Sequence, residues 1–283
     1  MTQSWIGRIW FCQIQRLLAL IVLIGLSQGL SQPAIARGGA AQVDAELVFA
    51  VDISYSMDQA EQVLQRNGYA EALVSEQFLQ ALKGGLYGKI AITYLQWASY
   101  RDQDVILPWT LIEGPESAAA AAAKLRRAPY RRAQRTSVSG AIDSAMYLFE
   151  NNGYDGLRRI IDVSGDGPNN DGRPVEAARD AAVAAGVTIN GLPLVGIRPY
   201  FGYADIAELD LSYQDCVIGG DGAFMIAIHD RKAFVDATRT KLVQEIAAPR
   251  IRPQPSDILP AQALSPKTNC MIGELMWNRR WRN

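Results

Sequence analysis

The stretch "LVFAVDISYSMD", residues 47–58, runs apolar for five positions and then places Asp52, Ser54 and Ser56 at every second residue. A short apolar run bounded by polar residues predicts a strand buried on both faces, the kind found inside a parallel sheet. On a strand, period two sets the carboxylate and the two hydroxyls on one face as the chain leaves the sheet. The rest of the sequence has to supply the sheet, and a reason for three oxygen side chains at its exit.

Strand and helix signals alternate outward from this stretch. The amphipathic segment from about Asp58 to Leu82 predicts a helix, and "KIAITYLQW" (89–97) and "DVILPWTLI" (104–112) predict strands. Pro108 interrupts the second and places it at a sheet edge. "SAAAAAAKLRR" is helical by propensity, and "VSGAIDSAMYLFE" (138–150) has apolar residues at helical spacing before the turn "NNGYDG". "LRRIIDVSG" (157–165) predicts a strand. "RPVEAARDAAVAAG" (173–186) predicts a helix with Pro174 in its first turn and Gly186 past its end, and "VTINGLPLV" another strand. Beyond Gly219, Gly220 and Gly222, "AFMIAIH" (223–229) predicts the last strand and "RKAFVDATRTKLVQEI" (231–246) the last helix. This order predicts a single α/β domain over residues 37–248, a doubly wound, mostly parallel sheet flanked by helices. Residues 249–283, rich in Pro and polar groups, predict an extended tail.

The 283 residues, 49% hydrophobic and 20% charged, suffice for one large domain with a substantial core. Residues 1–36 differ in character: Arg8 and Arg16 are their only charges, "LLALIVLIGL" is a short apolar core, and Ala34 to Ala36 supply small residues. That pattern predicts a signal peptide cleaved near Ala36 and a periplasmic or secreted product, since the apolar core is about half the ~20 residues of a membrane span. Cleavage would leave 26 basic against 29 acidic residues, a balance with no global pull toward nucleic acid. It would also leave two cysteines, Cys216 and Cys270, which an oxidising compartment predicts to be bridged, tying the tail back to the domain; two unpaired thiols are the alternative.

In an open parallel sheet, ligands bind beyond the C-terminal ends of the strands. That rule puts Asp52, Ser54 and Ser56 in the crevice, and "RIIDVSGDG" (159–167) brings Asp166 to the same edge. Two carboxylates with two hydroxyls suit a hard divalent cation, Mg²⁺ or Mn²⁺. Zinc is disfavoured, since His229 is the only histidine and no mature cysteines lie close together.

"DISYS" (52–56) resembles the DxSxS motif of von Willebrand factor type A domains, whose metal-ion-dependent adhesion site lies at the end of the first strand. "RTSVSGAI" (135–142) resembles their loop that supplies a Thr before a helix, and "VSGDG" (163–167) their late-strand Asp-Gly motif. The likeness runs from residue 45 to about 247. It implies a Rossmann-like α/β fold in which Ser54 and Ser56 ligate the metal directly, Thr136 directly or through water, and Asp52 and Asp166 mainly through water. It further implies an open metal position for a carboxylate of a protein partner, without catalysis, and in some members the last helix shifts on binding. The sequence departs from that pattern at Tyr55, where many members have Gly, and at Gly165, where Thr is common. "IDVSGDGPNNDG", "CVIGGDGAF" and "KLVQEIA" resemble a family of exported bacterial proteins related to these domains and without assigned function.

Other readings of the same residues compete. Ser and Asp after each strand could simply cap helices, and the site could be vestigial in a pure interaction module. "GDGPNND" resembles the acidic loop of haloacid-dehalogenase-like, Mg²⁺-dependent phosphatases, but Ser54 stands where those enzymes have their acid–base Asp. Asp162, inside an apolar strand, reads as a hydrogen-bonded core residue, and His229 as structural. Lys124, Arg126, Arg127, Arg131, Arg132 and Arg135 precede Thr136 and could rim the site, attracting an acidic protein surface, an anionic polymer or lipid headgroups; a solvated loop is the bland alternative. The terminal "WNRRWRN" could rest on a membrane interface.

Overall fold

The computed structural model describes residues 39–195, 208–247 and 268–280. The expected signal peptide and most of the expected tail lie outside these residues. Two short strands, β1 (Ala41–Val43) and β5 (Tyr154–Gly156), pair in parallel. The main sheet has the order β4 (Gln103–Ile112), β3 (Ile90–Trp97), β2 (Glu46–Asp52), β6 (Arg159–Gly165), β7 (Val187–Pro193). All its pairings are parallel except β3 with β4.

The opening stretch is the central strand, every residue of β2 being buried. Leu47, Phe49 and Val51 point into one hydrophobic cluster, Val48 and Ala50 into a second on the opposite face. Helices α1 (Gln59–Leu73), α2 (Glu76–Lys83), α3 (Pro115–Arg127) and α7 (Phe234–Ile246) cover the first face, and α4 (Val138–Leu148) and α5 (Val175–Ala184) the second. The short α6 (Leu209–Ser212) runs into a π-helical turn, Tyr213–Val217, and α8 (Ile272–Arg280) ends the described chain.

The predicted edge strand with Pro108 is β4, at the sheet's edge and antiparallel, with its register shifting between the pairs Ile92↔Thr110 and Tyr94↔Leu107. Three expectations are corrected. The long helix from Asp58 to Leu82 is two helices, because Ser75 accepts from the Phe78 amide and donates to the Ala72 carbonyl, capping a second start. The expected last strand, 223–229, makes only isolated parallel bridges with β7, at Gly191↔Met225 and Leu194↔Ile228. Pro193 accepts from Ile228 but has no amide hydrogen to return, so the ladder cannot continue. The extended tail contains a helix, α8, held by a Cys216–Cys270 disulfide, as the paired reading of the two cysteines expects. His229 is exposed and does not serve as a core residue.

Asp162 is the buried, bonded residue its surroundings implied. Lys241 on α7 lies 2.5 Å from Asp162 and also pairs with Glu245, all three being buried. The Tyr69 hydroxyl donates to Asp162 at 3.1 Å and Asn190 Nδ2 to Glu245 at 2.8 Å. One ammonium therefore faces two carboxylates, and burial followed by the charge of Asp162 pushes Glu245 up to about 7 from its ordinary 4.5. A folded state that holds this proton more tightly than the unfolded chain is favoured below pH 4.5, and the advantage is lost as pH rises through about 7. Melting temperature should accordingly fall over that window, and Glu245→Gln should flatten the fall; an unflattened profile in the variant would assign the pH dependence to other groups.

Candidate functional site

Asp52 ends β2 with its carboxyl completely buried, and Asp166 follows the last residue of the adjacent strand β6. Asp52 Oδ1 accepts the Ser54 amide at 2.6 Å, which turns the chain out of the strand. The Ser54 and Ser56 hydroxyls are 2.7 Å apart, and Ser56 Oγ donates to Asp166 Oδ1 at 2.6 Å. Four of the five expected ligands thus form one hydrogen-bonded chain across two neighbouring strand ends.

Thr136 comes from the connection between α3 and α4. That connection is laid along the exit of β2 by the Ala133 amide on the Ile53 carbonyl (3.1 Å), and beside the exit of β3 by the Ser137 amide on the Ala98 carbonyl (2.7 Å). Asn170, on the loop after Asp166, accepts from the Thr136 amide at 2.9 Å and donates its own amide to the Thr136 carbonyl at 2.8 Å. Asn169 accepts from the Ser139 amide and donates to Glu274 on α8 at 2.7 Å. The two asparagines were legible only as part of a polar loop.

The capping alternative is answered by who performs the capping. Asp58 forms a reciprocal capping box with Glu61 at the start of α1, Ser137 caps α4, and α5 begins at Pro174 with no side-chain cap. Asp52, Ser54, Ser56, Thr136 and Asp166 are not the caps of these helices.

The donor set fits a hard cation. Asp52 Oδ2 is buried without a close hydrogen-bond partner among the described residues; burial, then the charge of Asp166, pushes the Asp52 carboxyl well above the usual carboxylate range, against the opposing pull of Ser54 and the Asp166 backbone. A carboxylate oxygen with no hydrogen-bond partner and a neighbouring like charge are relieved together by a divalent ion. Among the described residues no group of three or more His, Cys, Asp or Glu side chains could hold a metal, so the hydroxyls of Ser54, Ser56 and Thr136 would have to complete the set.

The basic residues are placed unevenly. Arg132 donates to the Tyr55 carbonyl and its guanidinium lies 5.3 Å over the Tyr55 ring, which is 55% exposed between the two serines. Arg135, with a positive φ of 73°, pairs with Asp171 at 3.0 Å and stacks on Trp277 of α8 at 4.1 Å. Arg131 turns to Asp102 at 2.6 Å, and Arg126 and Arg127 stand exposed on the last turn of α3. Tyr213, which no sequence signal marked, is buried against the site: a side chain at Gly165 would meet its hydroxyl at 2.9 Å and Asp52 Oδ2 at 3.0 Å.

A mostly parallel five-stranded sheet, with Asp-x-Ser-x-Ser leaving its central strand beside a second Asp, defines a von Willebrand factor type A-like domain. The chain belongs to the family described as protein of unknown function (DUF1194), which matches residues 42–250. No curated protein compared with the chain matches it. Among solved structures, it is similar to proximal thread matrix protein 1 of the mussel byssus "with zinc occupied MIDAS motif" (TM-score 0.54, 15% identity, 73% of this chain and 48% of that one). It is also similar to a von Willebrand factor type A protein from Catenulispora acidiphila (0.52, 14%, 73% and 43%) and to the vWF domain of the type V pili tip protein Mfa5 from Porphyromonas gingivalis (0.52, 11%, 77% and 100%). The chain spans about half the length of the byssus protein.

Proposed function

We propose that this protein is an exported binding module of the adhesion type, in which a divalent cation held by Ser54, Ser56, Thr136, Asp52 and Asp166 takes a carboxylate of a protein partner. The observation that carries this reading is the hydrogen-bonded chain Asp52–Ser54–Ser56–Asp166 beside a buried carboxylate oxygen with no partner of its own. The byssus and pilus-tip likenesses support it, and the disulfide agrees with an oxidising compartment. Arg132 and Arg135 stand near enough to Ser56 and Thr136 to favour an anionic group at the opening. The phosphatase alternative would need Asp52 as nucleophile, but its carboxyl is completely buried, and the neighbouring Ser54 hydroxyl, bonded to Ser56, is no acid–base group at neutral pH.

Calorimetric titration tests the reading. Mg²⁺ and Mn²⁺, with Zn²⁺ alongside because the byssus protein's motif holds it, are titrated into the purified protein and into the Ser54→Ala, Ser56→Ala double variant. Saturable binding to the wild type is expected. The variant should lose more than the roughly 10–100-fold that an outer partner of a metal is worth, since two direct ligands are gone. Absence of saturable binding in both proteins would leave the interaction module with a vestigial site.

A further inference from the structure

We infer that Tyr213 is an outer partner of the cation site, its hydroxyl serving the Asp52 carboxylate across the space that Gly165 leaves open; the inference rests on the metal-dependent reading above. Two oxygens with no hydrogen-bond partner among the described residues face that space, Tyr213 Oη and Asp52 Oδ2, and both residues are fully buried. A side chain at Gly165 would stand 2.9 Å from the first and 3.0 Å from the second, so the glycine is what keeps them mutually accessible. Each buried oxygen left unpaired carries the full cost of its lost hydration. Two of them opening on one gap are most economically satisfied together, by a direct phenol-to-carboxylate hydrogen bond after a small adjustment or by one shared water.

The backbone around Tyr213 is arranged for this approach. The ring also lies against Gly191 of β7, where an added side chain would meet Tyr213 Cδ1 at 2.9 Å. Gly191 pairs with Val163 on β6, two residues before Gly165, so glycines on adjacent strands clear a lane for one aromatic side chain. A glycine inside a strand weakens it, and close approach of another group is the usual compensation. Tyr213 opens the π-helical turn Tyr213–Val217, and Cys216 within that turn is bridged to Cys270, which ties the turn to the terminal segment that carries α8.

The phenol O–H is a donor, and Asp52 Oδ1 is already committed to the Ser54 amide. Donation to one lone pair of Oδ2, directly or through water, leaves the other on the cation's side and stabilises the charged form that a cation requires. Tyr213 is therefore a positioning residue: it acts through Asp52 and contacts no partner.

The experiment compares wild type, Tyr213→Phe and Gly165→Ala by Mg²⁺ calorimetry, urea unfolding and the tyrosine ultraviolet difference spectrum produced by Mg²⁺. Tyr213→Phe keeps the ring and should weaken Mg²⁺ binding about tenfold, with a modest fall in the urea midpoint from the donor that Asp52 loses. Gly165→Ala should weaken binding similarly by filling the gap. The Mg²⁺ difference band should vanish in Tyr213→Phe and persist in Tyr55→Phe. Unchanged Mg²⁺ affinity in Tyr213→Phe overturns the inference and leaves the metal site standing. An affinity loss in Tyr213→Phe with the Mg²⁺ difference band unchanged also overturns it, assigning Tyr213 to packing alone. A wild type that binds no Mg²⁺ removes the metal-dependent reading itself, and the inference with it.

Discussion

Lys241→Ala should destabilise the domain by about 3–5 kcal/mol, the cost of removing one partner from a buried ion pair. The side chains of Lys241 and Asp162 are completely buried, so water entering the vacated space would replace the ammonium's charge only in part. Glu245 escapes part of the cost by taking up a proton, as its raised affinity already allows. Among the described residues, Asp162 keeps the hydrogen bond from the Tyr69 hydroxyl. Urea unfolding of Lys241→Ala beside Lys241→Met with Asp162→Asn separates charge from packing. The double variant should recover much of the loss, because the charge of Asp162 is gone, Glu245 can hold a proton, and the amide oxygen can still accept from Tyr69. A loss under about 1 kcal/mol in the single variant would mean that this cluster contributes no more than an exposed pair.

Removing the Cys216–Cys270 bridge should cost about 4 kcal/mol on chain-entropy grounds, since it closes a loop with a sequence separation of 54. The effect should also be local. The bridge holds α8 against the site loop, where Glu274 takes the Asn169 side chain and Trp277 lies over Arg135. Gly273 sits so close to Asn169 that an added side chain would come within 2.0 Å of its carbonyl oxygen. In Cys216→Ser with Cys270→Ser, amide exchange should quicken across Ile272–Arg280 and in the Asn169–Asn170 loop, while the centre of β2 stays protected at the level set by the new global stability. Equal stability of the bridged and unbridged proteins in urea would sink the prediction.

The sheet was legible because its signals are local. Five apolar positions before Asp52 make a strand buried on both faces, and Pro108 makes an edge; both depend on neighbours in sequence and hold in three dimensions. The long helix to Leu82 failed on a single hydroxyl, since Ser75 cannot be told from an ordinary helix-surface serine until its amide partners are known. The strand at 223–229 failed on Pro193, which lies on the other member of the pair, where the pattern of 223–229 itself gives no warning.

The candidate site divides the same way. Asp52, Ser54 and Ser56 announce themselves by spacing, and Asp166 by lying at the end of a similar strand. Tyr213 and Glu274 gave no signal, because both reach the site on irregular or terminal segments placed by a disulfide and by glycines far away in sequence. Gly165 was noticed as a departure without its meaning. Its lack of a side chain opens the path to Tyr213, which only the packing reveals.

Helix α7, the one the sequence placed last, is secured along its whole length. Arg231 just before it binds Glu61 at 2.7 Å and Asp58 at 3.5 Å, Lys241 grips Asp162 in the middle, and Arg158 donates to the carbonyls of Glu245 and Ile246 at its end. Sliding it by one turn, a travel of about 5.4 Å, would break all three attachments at once and separate the buried charges of Lys241 and Asp162. On the proposed reading, a partner that does not favour the shifted state by more than these attachments are worth leaves the helix where it is. Occupancy of the crevice would then remain a local event, and the molecule would behave as a fixed hook whose grip depends on what is placed before it.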